Sequence, residues 1–210
     1  MIDLLFGTTN PGKLRELRRL VAGLPVRVVS PADLGRELPE VVEDGRTFEE
    51  NARKKASAHA RASGLHALAD DSGLCVDALW GQPGIRSARW SEAEAPGLSG
   101  ADRDRANNAR LLRVLAGVFP EHRGAEYRAV VALAAPDGRV LATAEGACRG
   151  AIGASPRGEG GFGYDPLFLP EAFPGRTMAE LSPGDKDAVS HRGEAMRRLL
   201  PALAEAAATL

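Results

Sequence analysis

The stretch Thr47-Phe-Glu-Glu-Asn-Ala-Arg-Lys-Lys-Ala-Ser-Ala-His-Ala-Arg-Ala-Ser63, followed by Gly64-Leu65 and His66-Ala-Leu-Ala-Asp-Asp-Ser-Gly73, sets a helix directly before a strand. Thr47 and Glu50 fit the Ser/Thr-x-x-Glu capping box, so the helix starts there, and Gly64 supplies its stop. Alanines at 52, 56 and 60 recur at four-residue spacing and give that helix a thin face that can sit close to a sheet. The apolar run that follows ends in two carboxylates, a hydroxyl and a glycine. A strand points alternate side chains to opposite faces, so one of Asp70 and Asp71 can face a cleft while the other is tied into the scaffold. Paired acids there suit a divalent metal, although Asp and Ser at a strand end also serve as ordinary turn and cap chemistry.

The same alternation extends in both directions. Residues 2–6 form an apolar run, Gly7 to Lys13 punctuates it, and leucines 14, 17 and 20 mark one face of a helix. Val26 to Ser30 reads as a second strand, and an acidic loop through Glu40, Glu43 and Asp44 leads to the helix at Thr47. Downstream come a Gly/Pro-rich stretch at 81–84, a polar loop from Ser91 to Gly100, and an amphipathic helix over 101–117. Tyr127–Ala135 and Arg139–Cys148 are strand candidates around Pro136-Asp-Gly138, a hairpin signal. A glycine-rich loop at 158–163, a short strand at Pro166–Leu169 and a helix after Ser190 close the chain, with Pro201 expected to kink or split that helix. No repeat, heptad array or linker is evident. The expectation is a single α/β domain over 1–210 with two lobes.

A net charge of −1 argues against a general nucleic-acid binder, which usually carries a basic excess. Polyanionic small ligands remain open. Cys75 and Cys148 form no C-x-x-C and are too few for a disulfide framework, which points to reduced thiols and a cytoplasmic home. The apolar start lacks a basic leader, and no apolar stretch approaches the roughly 18 residues that span a bilayer, so the first run is a strand and no membrane is expected.

Four clusters suit a phosphorylated ligand. Thr8-Thr9-Asn10-Pro11-Gly12-Lys13 stands between a strand and a helix, where free backbone N–H groups, the helix dipole and a lysine converge as a phosphate cradle. It is not the P-loop, because Leu14 stands where Ser or Thr is required; a tight turn with Pro near a helix start is the plainer account. Glu43 joins Asn51 and Lys55, four apart on one helix face. Gly158 to Pro166 holds four glycines, with Phe162 or Tyr164 able to stack on a planar base or, more plainly, to anchor the core. Lys186 with Ser190-His191-Arg192 places cations at a helix start against the dipole, as a surface patch or as donors to an anionic or carbonyl-bearing ligand.

Taken together, Thr8-x-Asn10-x-x-Lys13-x-x-Glu16, Thr47-Phe-x-Glu-Asn-Ala-x-x-Lys-Ala56, Ala69-Asp-Asp-Ser-Gly-Leu74, Pro83-Gly-Ile-x-Ser-Ala-Arg89, Gly160-Gly-Phe-Gly-Tyr-Asp-Pro166 and Lys186 followed by Ser190-His-Arg192 resemble the inosine triphosphate pyrophosphatase family, also called dITP/XTP pyrophosphatases. The resemblance implies an elongated mixed-sheet α/β fold with two lobes around a central nucleotide-binding cleft and a homodimer. It also implies Mg²⁺-dependent hydrolysis of non-standard purine nucleoside triphosphates to the monophosphate and pyrophosphate. By matched position Asp71 takes the catalytic role, and Thr8 to Lys13 bind the triphosphate. Ser72, Phe162, Gly163, Tyr164, Asp165, Lys186, His191 and Arg192 complete the substrate site, to which Lys55 is expected to add counter-charge for the phosphates.

A triphosphate carries about four negative charges, so catalysis needs counter-charge and a positioned water more than covalent help. Glu43 and Asp71 are the expected Mg²⁺ ligands, with Asp71 also the general base. Relatives commonly carry two acids before the Gly-x-Thr-Phe segment; here Val42 precedes Glu43 and Asp44. His191, Arg192 and backbone N–H groups are expected to read the six-carbonyl of hypoxanthine or xanthine, which adenine lacks. Two alternatives share the architecture: a pyrophosphatase for modified pyrimidine or methylated nucleotides, which the Ser190-His-Arg192 segment disfavours, and a non-catalytic nucleotide sensor, which the intact Asp70 and Asp71 disfavour.

Overall fold

The computed structural model describes residues 2–35 and 38–208. Its strands are β1 (Ile2–Phe6), β2 (Val26–Val29), β3 (His66–Val76), β4 (Gly124–Ala134), β5 (Val140–Ile152) and β6 (Phe168–Pro170), and its helices are α1 (Pro11–Leu20), α2 (Phe48–Ser63), α3 (Gly100–Val114), α4 (Pro183–Val189) and α5 (His191–Ala208). The strands hydrogen-bond in the order β2-β1-β3-β4-β5-β6. β1 runs parallel to both β2 and β3, while β5 and β6 are antiparallel, so the sheet is mixed as expected.

The chain divides into two compact units: one holds the chain through Asp71, Ala129–Gly146 and the chain from Arg192 onward, and the other holds Ser72–Arg128 and Ala147–His191. In the first unit the expected alanine face is observed. Ala52, Ala56 and Ala60 of α2 are fully buried against Leu5, Ala67, Ala69, Val130, Ala132 and Ala134, small and flat partners that let helix and strands approach closely. Thr47 caps α2 by accepting from the Glu50 N–H, and Gly64 closes it in the left-handed region at φ 72°. A second cluster joins Leu4, Phe6, Leu17 and Val21 to Met196, Leu199 and Leu203 of α5. The second unit packs around Leu74, Leu111, Leu115, Tyr127, Leu167, Phe168 and Met178.

Strand bounds shift by a few residues, β5 running on to Ile152 and β6 spanning Phe168–Pro170, and three further differences from expectation have a physical cause or bear on the site. β3 does not end at Ser72-Gly73 but continues to Val76, because the Ser87 hydroxyl accepts from the Leu74 N–H at 2.8 Å in place of a ladder carbonyl. Gly73 permits that approach, since a Cβ there would lie 2.3 Å from the Gly84 carbonyl oxygen. α5 runs through Pro201 without splitting: one i→i−4 bond is forgone, and Leu199 and Leu203 on either side hold the helix in the core. Residues 183–189 form a short helix outside the expected elements, capped by Ser182 with Pro183 at its first position. Among the described residues no helix is long and apolar enough to cross a membrane.

Gly7 closes β1 directly beneath the His59 ring of α2, where a Cβ would fall 1.8 Å from Nδ1. Gly7→Ala is therefore expected to lower stability by about 1–3 kcal/mol, as overpacking does, read from the urea midpoint.

Candidate functional site

In the first unit α1, α2, β3 and α5 deliver six charged side chains, Lys13, Glu16, Lys55, Asp70, Asp71 and Arg192, and the loop before α2 adds Glu43. β3 supplies the two acids, and the period-two alternation sends them to different partners. Asp70 is buried and accepts from Lys13 Nζ at 3.0 Å, from Arg192 Nε at 3.1 Å and from Arg192 Nη2 at 2.9 Å. The remaining Arg192 nitrogen, Nη1, donates to Glu16, itself buried on α1 three residues after Lys13 and so on the same helix face. Burial opposes ionisation of Asp70, but Lys13, Arg192 and Lys55 outweigh it and hold the carboxyl well below the usual carboxylate range.

Asp71 faces α2. Asn51 Nδ2 donates to its Oδ2 at 3.0 Å and Lys55 Nζ to its Oδ1 at 3.2 Å, while the same ammonium lies 3.3 Å from Glu43 Oε1. Burial pushes the Asp71 pKa upward; Lys55 and Asn51 pull it back only in part, and Glu43 adds to the rise. Of the two neighbouring acids, Asp70 is thus locked as an anion while Asp71 is poised to take a proton.

The loop at Thr8–Lys13 departs from the free cradle expected. Asn10 Oδ1 caps α1 by accepting from the N–H groups of Gly12 at 2.8 Å and Lys13 at 3.2 Å, and Thr8 Oγ1 accepts from the Asn10 N–H. Those donors serve the turn, with Pro11 at the first helical position. The Lys13 ammonium is then the cation that this loop contributes. Thr9 and Pro11 are exposed beside it, and Ser72 is half-buried at the start of the second unit.

In the second unit the glycine loop is built around Asp165. This buried acid pairs with Lys186 at 2.6 Å, accepts from the Phe162 N–H at 2.9 Å and from the Tyr127 hydroxyl at 3.4 Å. Lys186 Nζ also sits 4.6 Å from the centre of the half-buried Phe162 ring. Tyr164 is a core anchor and not a stacking surface: it is buried, and its hydroxyl donates to the Ser87 carbonyl at 2.9 Å. His191 stacks on Tyr127 with ring centres 4.7 Å apart.

The basic cluster expected at 186–192 therefore separates by partner. Lys186 goes to Asp165, while the Arg192 guanidinium is committed to two carboxylates instead of being aimed at a base. Glu16, Tyr127, Asp104 and Asn108 belong to no expected site; the signals they carry are spacings alone, Glu16 three residues from Lys13 and Asp104 four from Asn108.

Among the described residues no three His, Cys, Asp or Glu side chains gather as a ready metal cage. Glu43 and Asp71 nevertheless converge on the single Lys55 ammonium. Two hard carboxylates fit Mg²⁺, which usually takes one or two such ligands and completes its shell with water and phosphate oxygens.

The profile of the Ham1 family matches residues 4–202. The chain is 60% identical to a dITP/XTP pyrophosphatase of Anaeromyxobacter dehalogenans, with 97% of each chain covered, and 51% identical to one of Geobacter sulfurreducens, with 95% of each covered. Among solved structures, a HAM1 protein from Coxiella burnetii superimposes with a TM-score of 0.81 at 36% identity, covering 98% of this chain and 100% of the other. A nucleoside-triphosphatase, dITP/XTP pyrophosphatase, from Mycobacterium abscessus matches at a TM-score of 0.69 and 45% identity, covering 95% and 100%.

Proposed function

Because this chain belongs to the Ham1 family, we propose that it is a nucleoside triphosphate pyrophosphatase that converts non-standard purine nucleoside triphosphates, dITP, ITP and XTP, into the monophosphate and pyrophosphate. The observation that carries this reading is the Asp71 carboxylate, buried, oriented by Asn51 and Lys55, and raised in pKa beside an acid that stays ionised. Asp71 takes the proton of a water attacking the α-phosphorus, a bond forms from that oxygen to phosphorus, and the bridge to the β-phosphate breaks to release pyrophosphate. Lys55 holds the base in line, and Lys13 and Lys55 offset the charge of the phosphates. Glu43 and Asp71 are the residues that would hold Mg²⁺, whose chemistry when bound is neutralisation of phosphate charge.

The base falls to the second unit's loop, with Phe162 as the stacking ring and Lys186 and His191 as its neighbours, while Asp165 and Tyr164 fix the loop. Ser72, Gly163 and the turn residues Thr8 to Gly12 complete the set. The protein works as one domain, as a homodimer, in the cytoplasm.

A panel of dITP, XTP, ITP, ATP and GTP with Mg²⁺, measuring both products, tests the reading. Monophosphate and pyrophosphate in equal amounts from the first three, with little turnover of ATP and GTP, is the expected result; release of orthophosphate, or no turnover, overturns it. Within the same assay Lys13→Ala is expected to raise KM for dITP about tenfold or more, while affinity for deoxyinosine, which has no phosphate, stays unchanged. Equal losses for both ligands would remove Lys13 from the phosphate site.

A further inference from the structure

Helix α3 lies outside every motif discussed above, yet two of its side chains grip the glycine loop. Asp104 and Asn108, four apart and hence on one helix face, hold both polar groups of Gly163: Asp104 Oδ2 accepts from the Gly163 N–H at 2.7 Å, and Asn108 Nδ2 donates to the Gly163 carbonyl at 2.8 Å. We infer that Asp104 and Asn108 are positioning residues for purine recognition, clamping Gly163 so that the Phe162 ring before it is held in a single orientation for the base. This rests on the function proposed above.

The clamp is built at a cost. Asn108 is 7% exposed, and its amide gives its two hydrogens to the Asp104 and Gly163 carbonyls while Oδ1 stays buried without a hydrogen-bond partner. Flipping the amide would set Oδ1 against those two carbonyls, so the orientation is fixed by its surroundings. An apolar residue would fill the space without burying an unsatisfied acceptor. What it would lose is the grip on Gly163.

The neighbouring contacts serve the same end. Gly163 adopts φ 64°, in the left-handed region, so its peptide needs outside hold to stay where it is. On one side of it the Phe162 N–H is tied to Asp165. On the other the Tyr164 hydroxyl reaches Ser87, whose carbonyl also accepts from Asn107 of α3 at 3.3 Å. Asn107 Oδ1 in turn accepts from the Ser91 N–H at 2.8 Å. Phe162 is half-buried between these anchored neighbours, with Lys186 Nζ over its ring, and a preorganised ring loses less on binding than a mobile one.

Asp104→Ala and Asn108→Ala are each expected to raise KM for dITP about tenfold with kcat within about twofold, and to narrow the preference for dITP over dATP. Asp104→Asn should restore wild-type behaviour, because its amide oxygen still accepts from the Gly163 N–H. Hydrogen exchange supplies a readout independent of turnover: the Gly163 amide should exchange faster in Asp104→Ala and at the wild-type rate in Asp104→Asn. Unchanged KM and unchanged base preference in both alanine variants of an active wild-type enzyme overturn the positioning role and leave the proposed function standing. If the wild-type protein does not hydrolyse dITP, the functional reading falls and this role with it, even where exchange at Gly163 behaves as expected. Parallel loss of kcat and of folded protein would mark the contacts as merely structural and likewise overturn the inference.

Discussion

Asp71→Asn is expected to lower kcat for pyrophosphate release from dITP by about 10²–10⁴-fold, the span that a positioned general base commonly contributes. The amide is nearly isosteric, so packing around β3 is preserved, but it cannot take a proton. It also cannot satisfy both of its neighbours, since Asn51 Nδ2 and Lys55 Nζ each donate to a different carboxylate oxygen. One of those donors would face the new NH₂ group. Folding should change little: burial opposes the charged form of Asp71 and raises its pKa, a cost that a neutral amide removes, but the amide also takes a counter-charge from the buried Lys55 ammonium, which then keeps Glu43. The measurements are product release, dITP affinity by calorimetry and thermal melting. Activity above a tenth of wild type would show that another group accepts the proton.

Much of this arrangement is legible from local sequence, and the part that is not has a physical reason. The capping threonine, the alanine face and the glycine stop of α2 are short-range signals, and together with the period-two alternation of β3 they bring Asn51 and Lys55 to Asp71. Boundaries set by distant partners are not local signals. β3 outruns its Ser-Gly because Ser87, thirteen residues beyond Leu74, substitutes for a ladder carbonyl. The turn at 8–13 fits a phosphate cradle or a plain helix-start turn by sequence, and the Asn10 cap, available from the sequence as an N-cap residue, uses two of its donors. The division of the cluster at 186–192 depends on pairings across 122 and 176 residues, which charge type alone cannot assign because any buried cation seeks any buried acid.

That last pairing leads to the largest stability effect expected. Arg192→Ala should destabilise the protein by about 3–5 kcal/mol, the usual result of removing one partner from a buried ionic network, because Glu16 and Asp70 would be left buried with Lys13 as the remaining cation contacting Asp70. Arg192→Lys should recover only part of the loss, since a single ammonium cannot span two carboxylates as the guanidinium does. The pH dependence carries a further mark. The Asp70 carboxyl titrates below its unfolded value of about 3.9, so its contribution to stability is complete above that pH and drains away as pH falls toward the folded pKa. Removing Arg192 weakens the cause of that depression, and the acid limb of the stability curve should become shallower. Activity then discriminates between two roles for the residue. A guanidinium that read the base would, when removed, cut turnover of dITP more than that of dATP. One that instead holds Asp70, and through it Lys13, should cut both by the same factor, so the ratio of the two kcat/KM values in folded Arg192→Ala protein decides whether this side chain recognises the substrate or builds the site that does.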